Sequence, residues 1–287
     1  MSGGAGDLVI AVDGVAYGLL LFVVAAGLTL SLGVAGIMQL SHGTVYLAGS
    51  YTAWALTGGT WPGLLLALTV ALAGGLGAGA ALAVLLEAVP RHLDQALATI
   101  GVALIGAYAL TAAFGSEPLS VDPPAGLDGT VSLAGRPYPA YRLMFIGLAI
   151  VLAVALWVVV QRTRAGAVLR AVAADPAMVD ALGVAPRRVR VAVLAVATAM
   201  AAGAGVLGAP VIGPAPGLDH TVLLLSLVIV VAGGAGSIRG ALVAALVVGQ
   251  IQTTAVAAWP DAAPFLPYAV LVLALVARFG VLRRAVT

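Results

Sequence analysis

The sequence predicts an all-α, polytopic membrane protein with about eight to ten transmembrane helices, some of them broken. Hydrophobic residues make up 62% of the 287-residue chain, charged residues make up 8%, and the mean hydropathy is +1.16. Many successive apolar runs approach the ~20 residues that a helix needs to cross a bilayer. Cysteine is absent, which excludes disulfides and thiolate metal sites. We therefore expect one transmembrane domain over residues 1–287.

Nine apolar segments follow one another along the chain. The predicted spans are 8–32, 44–57, 64–86, a fourth that follows the charged connection 87–95 and ends at Phe114, 143–160, 191–207, 221–231, 241–257 and 265–276. Residues 58–63 form a glycine- and proline-containing turn, and 115–142 form a long polar loop. Gly75 and Gly79 in the third span have the four-residue spacing that lets membrane helices approach closely.

The distribution of positive charge predicts the orientation. The chain has no lysine, so its 13 basic residues are all arginine. With nine alternating crossings and the N-terminus outside, only Arg136 and Arg142 fall on the outer side, which leaves 13 − 2 = 11 arginines inside. The positive-inside rule therefore predicts an external N-terminus, a cytoplasmic C-terminus and an external loop 115–142.

Two interruptions divide the apolar pattern. The first, 33–43, follows the first span, and the second, 208–217, follows the sixth span and contains three prolines. Three further spans follow each interruption, so spans one to four and six to nine are candidates for inverted repeats. Broken helices at matching positions in two halves indicate a translocation path. The alternative is that glycine and proline only mark loops, and the sequence leaves both interpretations open.

Residues 162–190 form a polar island that holds six of the 13 arginines. Within it, Asp175 is predicted to cap a helix that begins at Pro176, and Gly183 is predicted to end that helix. The capped segment 176–182 is ~10 Å long, too short to cross a bilayer. We expect it to lie at the membrane surface and to present a face to a partner. A solvated basic connector is the alternative.

Polar residues inside predicted spans are candidates for the translocation path or for a hinge. The cluster in the first interruption consists of Gln39, Ser41, His42 and Gly43. The favoured alternative for His42 is structural, because a histidine can bond backbone carbonyls that a broken helix leaves free. Gln250 and Gln252 in the eighth span either line the path or bond neighbouring helices.

Several other sites are disfavoured. Without lysine the chain cannot form the GxxxxGK[ST] phosphate loop, so we do not expect it to hydrolyse ATP. We also expect no other enzymatic activity and no cofactor. The glycine-rich stretch 233–237 lacks a βαβ context and is better explained as a tight connection. His92 and His220 lie in different connections, so no metal site is expected. Ser41 and His42 are adjacent and point apart, which disfavours a nucleophilic pair.

Several residue groups, in one order along nearly the whole chain, carry a resemblance to a known family. They are Tyr17-Gly18 to Leu30, Gly33 to Gly43, Ala98-Thr99-Ile100-Gly101, Arg170 to Val189 and Gly233-Gly234 to Gly240-Ala241. The chain resembles the permease subunits of ATP-binding-cassette (ABC) importers for branched-chain amino acids, within a broader family that includes urea and short-chain amide permeases. It departs from many ABC permeases where their glutamate-alanine-alanine motif is reduced to Ala173-Ala174-Asp175.

This resemblance implies a permease subunit of the bacterial inner membrane, powered by separate ATPase subunits that dock on the island. The implied coupling residues are Arg170, Ala174, Asp175, Pro176, Asp180 and Gly183. A second related permease, an extracytoplasmic solute-binding protein near loop 115–142 and membrane lipid are the other implied partners, and no nucleic acid is expected.

Two other classes of protein stay open on the residues alone. A secondary transporter or channel also has broken helices, although it more often carries charged residues within its spans. An intramembrane enzyme needs a convergent catalytic set, which the sequence does not offer. Because the predicted path contains no fixed positive charge for a carboxylate, branched-chain amino acids, urea and small amides all remain candidate substrates.

Overall fold

The computed structural model describes residues 3–89, 91–261, 265–266, 268–270, 272–273 and 276. Its elements are α1 (Gly3–Leu30), a π-helical turn (Ser31–Ala35), α2 (His42–Leu56), α3 (Trp61–Glu87), α4 (His92–Phe114), β1 (Thr130–Leu133), β2 (Arg136–Pro139), α5 (Ala140–Arg162), α6 (Arg164–Ala174), α7 (Pro176–Ala181), α8 (Pro186–Gly208), α9 (Leu218–Gly233) and α10 (Ile238–Ala258). The predicted all-α polytopic fold is confirmed.

Six helices among the described residues are long and apolar enough to cross a membrane: α1, α3, α4, α5, α8 and α10. The predicted second and seventh spans instead form α2 and α9, which have only 15 and 16 residues. At ~1.5 Å per residue they reach ~23 Å, short of the ~30 Å hydrocarbon core. The predicted ninth span, 265–276, is described only in part, at residues 265–266, 268–270, 272–273 and 276, and Arg278, Arg283 and Arg284 lie outside the described residues.

Gly75 and Gly79 make the close helix contact that their spacing predicts. A Cβ built on Gly75 would lie 2.6 Å from the Cα of Ala199, and one on Gly79 would lie 2.6 Å from the Cα of Ala195. Residue numbers rise along α3 while they fall along α8, so the two helices are antiparallel. Small residues let their backbones pack directly against each other.

The same arrangement recurs between α1 and α10. Gly14 lies against Gln250, and Gly18 lies against the carbonyl of Ala245, so these helices are antiparallel as well. The first helix of each predicted repeat (α1, α8) thus packs on the third helix of the other repeat (α10, α3), and the two second helices, α2 and α9, contact each other. This exchange of partners is the packing expected of a pseudo-twofold pair of repeats.

The repeats are inverted relative to each other. At the start of α5, Arg142 contacts Asp13 near the start of α1, while Tyr141 donates a hydrogen bond to the carbonyl of Leu207 at the end of α8. The two first helices therefore run in opposite directions. We call the end of the bundle that holds residues 162–190 the island end, and the opposite end the hairpin end.

A β-hairpin occupies part of the polar loop 115–142, which the sequence analysis left without structure. Strands β1 and β2 pair antiparallel, with Leu133 opposite Arg136. Ala134 and Gly135 connect them, and both have positive φ, as a type I′ turn requires. The hairpin places Tyr138 against α1, and the loop also reaches the second interruption, where Leu119 N–H donates to the carbonyl of Pro214.

Candidate functional site

Helix α7 has the capping predicted from its sequence. The carboxylate of Asp175 accepts hydrogen bonds of 3.0 Å from the backbone N–H groups of Ala177 and Met178. At the other end Gly183 has φ +85°. Its N–H donates to the backbone carbonyl of Asp180, and the N–H of Val184 donates to the backbone carbonyl of Val179. These two bonds form a Schellman motif, in which a left-handed glycine ends a helix. The predicted start at Pro176 and the predicted stop are confirmed.

One face of α7 is apolar and uncovered. Val179 is buried against the bundle, whereas Met178 and Leu182 are 62% and 75% exposed. These two residues are four apart, so they lie on the same side of one helical turn. Ala174 and Asp180 are exposed beside them. The island therefore presents a small apolar surface bordered by charge.

The sequence analysis missed α6, which precedes α7 in the island. Its signal was the threonine cap: Thr163 accepts a hydrogen bond from Gly166 N–H, as the first-turn geometry of a helix requires. Arg170 points back along α6, and its guanidinium donates to the carbonyl of Val160 at the end of α5. Arg170, predicted to be a coupling residue, thus ties α6 to α5 in this structure. Val172 is the buried anchor of α6.

Helix α6 also contacts the first interruption, where the π-helical turn ends α1. A cavity of about 830 Å³ lies at this contact, lined by Val172, Ala173 and Pro176 on one side and by Leu32 to Ile37 on the other. Glu87 and Arg187 also line it. They form two hydrogen bonds of 2.7 Å, and this bidentate ion pair joins the end of α3 to the start of α8.

The glycine-rich connection between α9 and α10 closes against the same interruption. Gly236 N–H donates to the carbonyl of Thr29 at 3.1 Å, and a Cβ on Gly33 would overlap the backbone of Gly236. A Cβ on Gly240 would likewise overlap Gly233. These glycines permit close approach between backbones, which agrees with the interpretation of a tight connection.

His42 is fully buried and begins α2. Its Nε2 lies 2.9 Å from the carbonyl oxygen of Val24, and since a carbonyl only accepts, Nε2 carries the proton. Its Nδ1 lies 3.4 Å from the side-chain oxygen of Gln39, whose amide nitrogen donates to Thr198 of α8 at 2.9 Å. His42 thus bonds α2 to α1, and the hydrogen bond from Gln39 to Thr198 joins the first repeat to the second.

The two short helices meet at their N-termini inside the bundle. A Cβ on Gly43, the second residue of α2, would overlap the backbone carbonyl of Asp219, the second residue of α9. The carboxylate of Asp219 is buried, and Thr44 donates to it at 3.4 Å. The sequence analysis did not select Asp219. Its position after Gly217, at the start of a helix that follows the second interruption, was the available signal.

Ser41 lies beside this junction. Its buried hydroxyl has no hydrogen-bond partner among the described residues, and it lines a cavity of about 350 Å³ between α2 and α4. Thr44 lines the same cavity. The predicted cluster of Gln39, Ser41, His42 and Gly43 is thus brought together, but its members have different neighbours.

The second interruption lines a separate cavity at the hairpin end. This cavity has a volume of about 430 Å³ and is bounded by Val211 and Ile212 of the interruption and by Gln252 of α10. Gln252 also lines a neighbouring cavity of about 250 Å³. By contrast, Gln250 donates to the carbonyl of Ala11 at 2.7 Å and so bonds α10 to α1. Each interruption therefore borders a cavity at its own end of the bundle.

Arg142 lines the cavity at the hairpin end together with Asp13. The sequence analysis placed Arg142 at the end of the external loop 115–142, and that position is corrected here. The helix α5 begins at Ala140, so Arg142 belongs to the first turn of a membrane helix and faces α1. No group of three or more metal-ligating side chains occurs in the part of the chain that the structure describes.

Comparison with known proteins gives one match. A family model described as "Branched-chain amino acid transport system / permease component" matches residues 10–275. No curated protein and no solved structure matches the chain. The matched range includes both interruptions, the island, and the cavities at both ends.

Proposed function

The chain belongs to the family of permease components of branched-chain amino acid transport systems, and from this premise we propose that it is the transmembrane permease subunit of an ABC importer. It moves branched-chain amino acids across the bacterial inner membrane, and separate ATPase subunits supply the energy. The single observation that carries the proposal is the capped helix α7, whose Met178 and Leu182 are exposed at the surface of the island.

The exposed face of α7 fits a helix-in-groove contact. A six-residue helix is unstable alone, so its cap, its Schellman stop and the buried Val179 are what hold it in place. Asp175, Pro176 and Gly183 shape the helix that docks. Ala174 and Asp180 border the contact, and Arg170 keeps α6 fixed to α5.

The packing of α6 supports a coupling route from this contact to the proposed translocation path. Helix α6 packs against the π-helical turn Ser31–Ala35 as well as against α5 and α7. A push on α7 by closing ATPase subunits would therefore move α6 against the first interruption. Because Gln39 in this interruption donates a hydrogen bond to Thr198 of α8, the movement would reach the second repeat. Alternate opening of the cavities at the two ends would then follow.

The orientation follows from the same proposal. The island end faces the cytoplasm, where the ATPase subunits are, and the N-terminus and loop 115–142 face outward. A solute-binding protein delivers substrate at the hairpin end, near Val131, which is exposed on β1. A second, related permease completes the transmembrane pair within the lipid bilayer.

The test is association with ATPase subunits. We expect Met178→Glu/Leu182→Glu to abolish co-purification, because burial of each side chain contributes about 1.5–3 kcal/mol. Loss of both amounts to about 3–6 kcal/mol, or at least a 100-fold weaker complex. The matched control is Val131→Glu, an exposed apolar residue at the opposite end, which should co-purify as the wild type does.

ATP hydrolysis by the complex, measured in proteoliposomes with and without leucine, gives a second readout. If the wild type recruits no ATPase subunit, or if the double variant binds as tightly as the control, the coupling proposal is wrong. An ATPase-independent transporter would then be the better assignment.

A further inference from the structure

The cavity at the hairpin end combines two opposite charges with apolar walls. Its charged residues are Asp13 of α1 and Arg142 of α5, and its other polar residues are Tyr17, Gln252 and Thr253. The remaining lining residues are Ile10, Ala16, Val211, Ile212, Val256 and Ala257. The volume of about 430 Å³ lies within the ~300–1,000 Å³ that small-molecule sites have.

The two charges are close to each other and are only partly hydrated. Arg142 Nη1 lies 2.5 Å from Asp13 Oδ1, and the side chains are 34% and 27% exposed. Tyr138 also donates to Asp13 Oδ1, at 2.8 Å. Among the described residues, Asp13 Oδ2 accepts no hydrogen bond, and Arg142 directs one of its five N–H groups at Asp13. Both charged residues line the cavity and keep unused hydrogen-bonding capacity.

We propose that this cavity binds the zwitterionic head of an amino acid, with a short branched side chain against the apolar wall. The guanidinium of Arg142 binds the α-carboxylate, for which its planar fork is suited. Asp13 Oδ2 binds the α-ammonium, and Ile10, Val211 and Ile212 contact the side chain. The inference rests on the proposed transport function and names the site that recognises the substrate as it enters.

The charge pattern distinguishes amino acids from the other candidate substrates. A ligand that separates Asp13 from Arg142 must replace their ion pair, since leaving either charge unpaired in a partly buried site is costly. The zwitterion of an α-amino acid carries both complementary charges, on two groups bonded to the same carbon, and can do so. Urea and small amides carry neither charge. The cavity therefore favours amino acids.

Occupation of this site would act directly on the second interruption. Val211 and Ile212 belong to the segment between α8 and α9, and their backbone N–H groups are held by the carbonyl of Gly208. A ligand side chain that packs on Val211 and Ile212 would contact the segment that leads to Asp219. Asp219 in turn lies at the junction of the two short helices, α2 and α9. Substrate binding and opening of the bundle are thus linked through the cavity wall.

The test is binding of small ligands to the purified permease in lipid nanodiscs, without ATPase subunits or ATP. Isothermal titration compares L-leucine with leucinamide, which lacks the carboxylate, with 4-methylpentanoate, which lacks the ammonium group, and with urea. We expect leucine to bind at least about tenfold more tightly than each of the three, because each missing charge removes a charge-assisted hydrogen bond.

Two single variants assign the charges. Arg142→Gln should weaken leucine about tenfold or more and should abolish the preference for leucine over leucinamide. Asp13→Asn should abolish the preference for leucine over 4-methylpentanoate. Arg136→Gln is the matched control: this arginine lies nearby, at the start of β2, but does not line the cavity. Its affinities should equal those of the wild type.

The double variant Asp13→Asn/Arg142→Gln guards against misfolding, because it removes both charges and leaves groups that still hydrogen-bond. If the double variant unfolds at the wild-type temperature but no longer binds leucine, the result supports the proposed site. If it binds leucine as the wild type does, or if the wild type binds urea as tightly as leucine, the inference is overturned. These outcomes do not depend on ATPase association, so failure of the site and failure of the coupling proposal are separately visible.

Discussion

The contact between α3 and α8 can be tested by adding single methyl groups. Gly75 and Gly79 face α8, and a Cβ on either would lie 2.6 Å from a backbone Cα. Gly74 and Gly77 lie on the same helix with no atom within 4 Å of an added Cβ. The double variants Gly75→Ala/Gly79→Ala and Gly74→Ala/Gly77→Ala therefore add the same two methyl groups to opposite faces.

The two double variants are expected to change the free energy of unfolding in opposite directions. Alanine in place of glycine favours a helix by about 0.5–1 kcal/mol per residue, so the double variant of the open face gains at most about 1–2 kcal/mol. On the packed face each Cβ must displace the backbone of α8, and overpacking costs about 1–3 kcal/mol per site. Over two sites the overpacking costs about 2–6 kcal/mol and the helix propensity returns about 1–2 kcal/mol, so the net loss is centred on about 2.5 kcal/mol.

Thermal unfolding in detergent, followed by circular dichroism, measures the difference. At about 2–4 °C per kcal/mol for a chain of this size, the packed-face variant should unfold several degrees below the wild type. The open-face variant should unfold at or slightly above the wild-type temperature. Equal unfolding temperatures for the two double variants would refute the close packing of α3 on α8.

Two further predictions concern the capped helix and the buried network. Asp175→Ala removes both N-cap bonds of α7 and should destabilise that helix by about 0.5–2 kcal/mol, seen as faster hydrogen exchange over residues 176–182, whereas Asp175→Asn should exchange like the wild type. Thr198→Val leaves the buried amide of Gln39 without its partner and should lower the free energy of unfolding by about 1–3 kcal/mol. Thr69→Val, on the exposed face of α3, is its control, and equal effects of these two threonine changes would argue against the network.

The helices and their ends could be predicted because their signals are local. Apolar runs of sufficient length appear in the sequence wherever the structure has a spanning helix, and Asp175 and Gly183 mark α7 by cap chemistry within a few residues. The spacing of Gly75 and Gly79 predicted that another helix packs closely against α3, although the sequence did not indicate that this helix is α8. The cap of α6 at Thr163 is also a local signal, but the sequence analysis passed over it because it lies in an arginine-rich stretch.

The members of the candidate sites could be predicted only in part. His42 and Gln39 were selected as polar residues in an apolar chain, but their partners Val24 and Thr198 were not. Gln250 and Gln252 looked equivalent in the sequence, yet one bonds α1 and the other lines two cavities. The direction of a side chain around a helix depends on which neighbours pack there, and two residues two positions apart point to different sides.

The sequence by itself determined that the chain is a helical membrane protein, which family it belongs to, where its apolar helices are interrupted, and the capped helix α7. Tertiary structure alone decided what the broken ends meet. Gln39 and Thr198 are 159 positions apart, Thr44 and Asp219 are 175 apart, and Asp13 and Arg142 are 129 apart. No local propensity encodes such pairs, because they arise only when segments that are far apart in the sequence pack against each other.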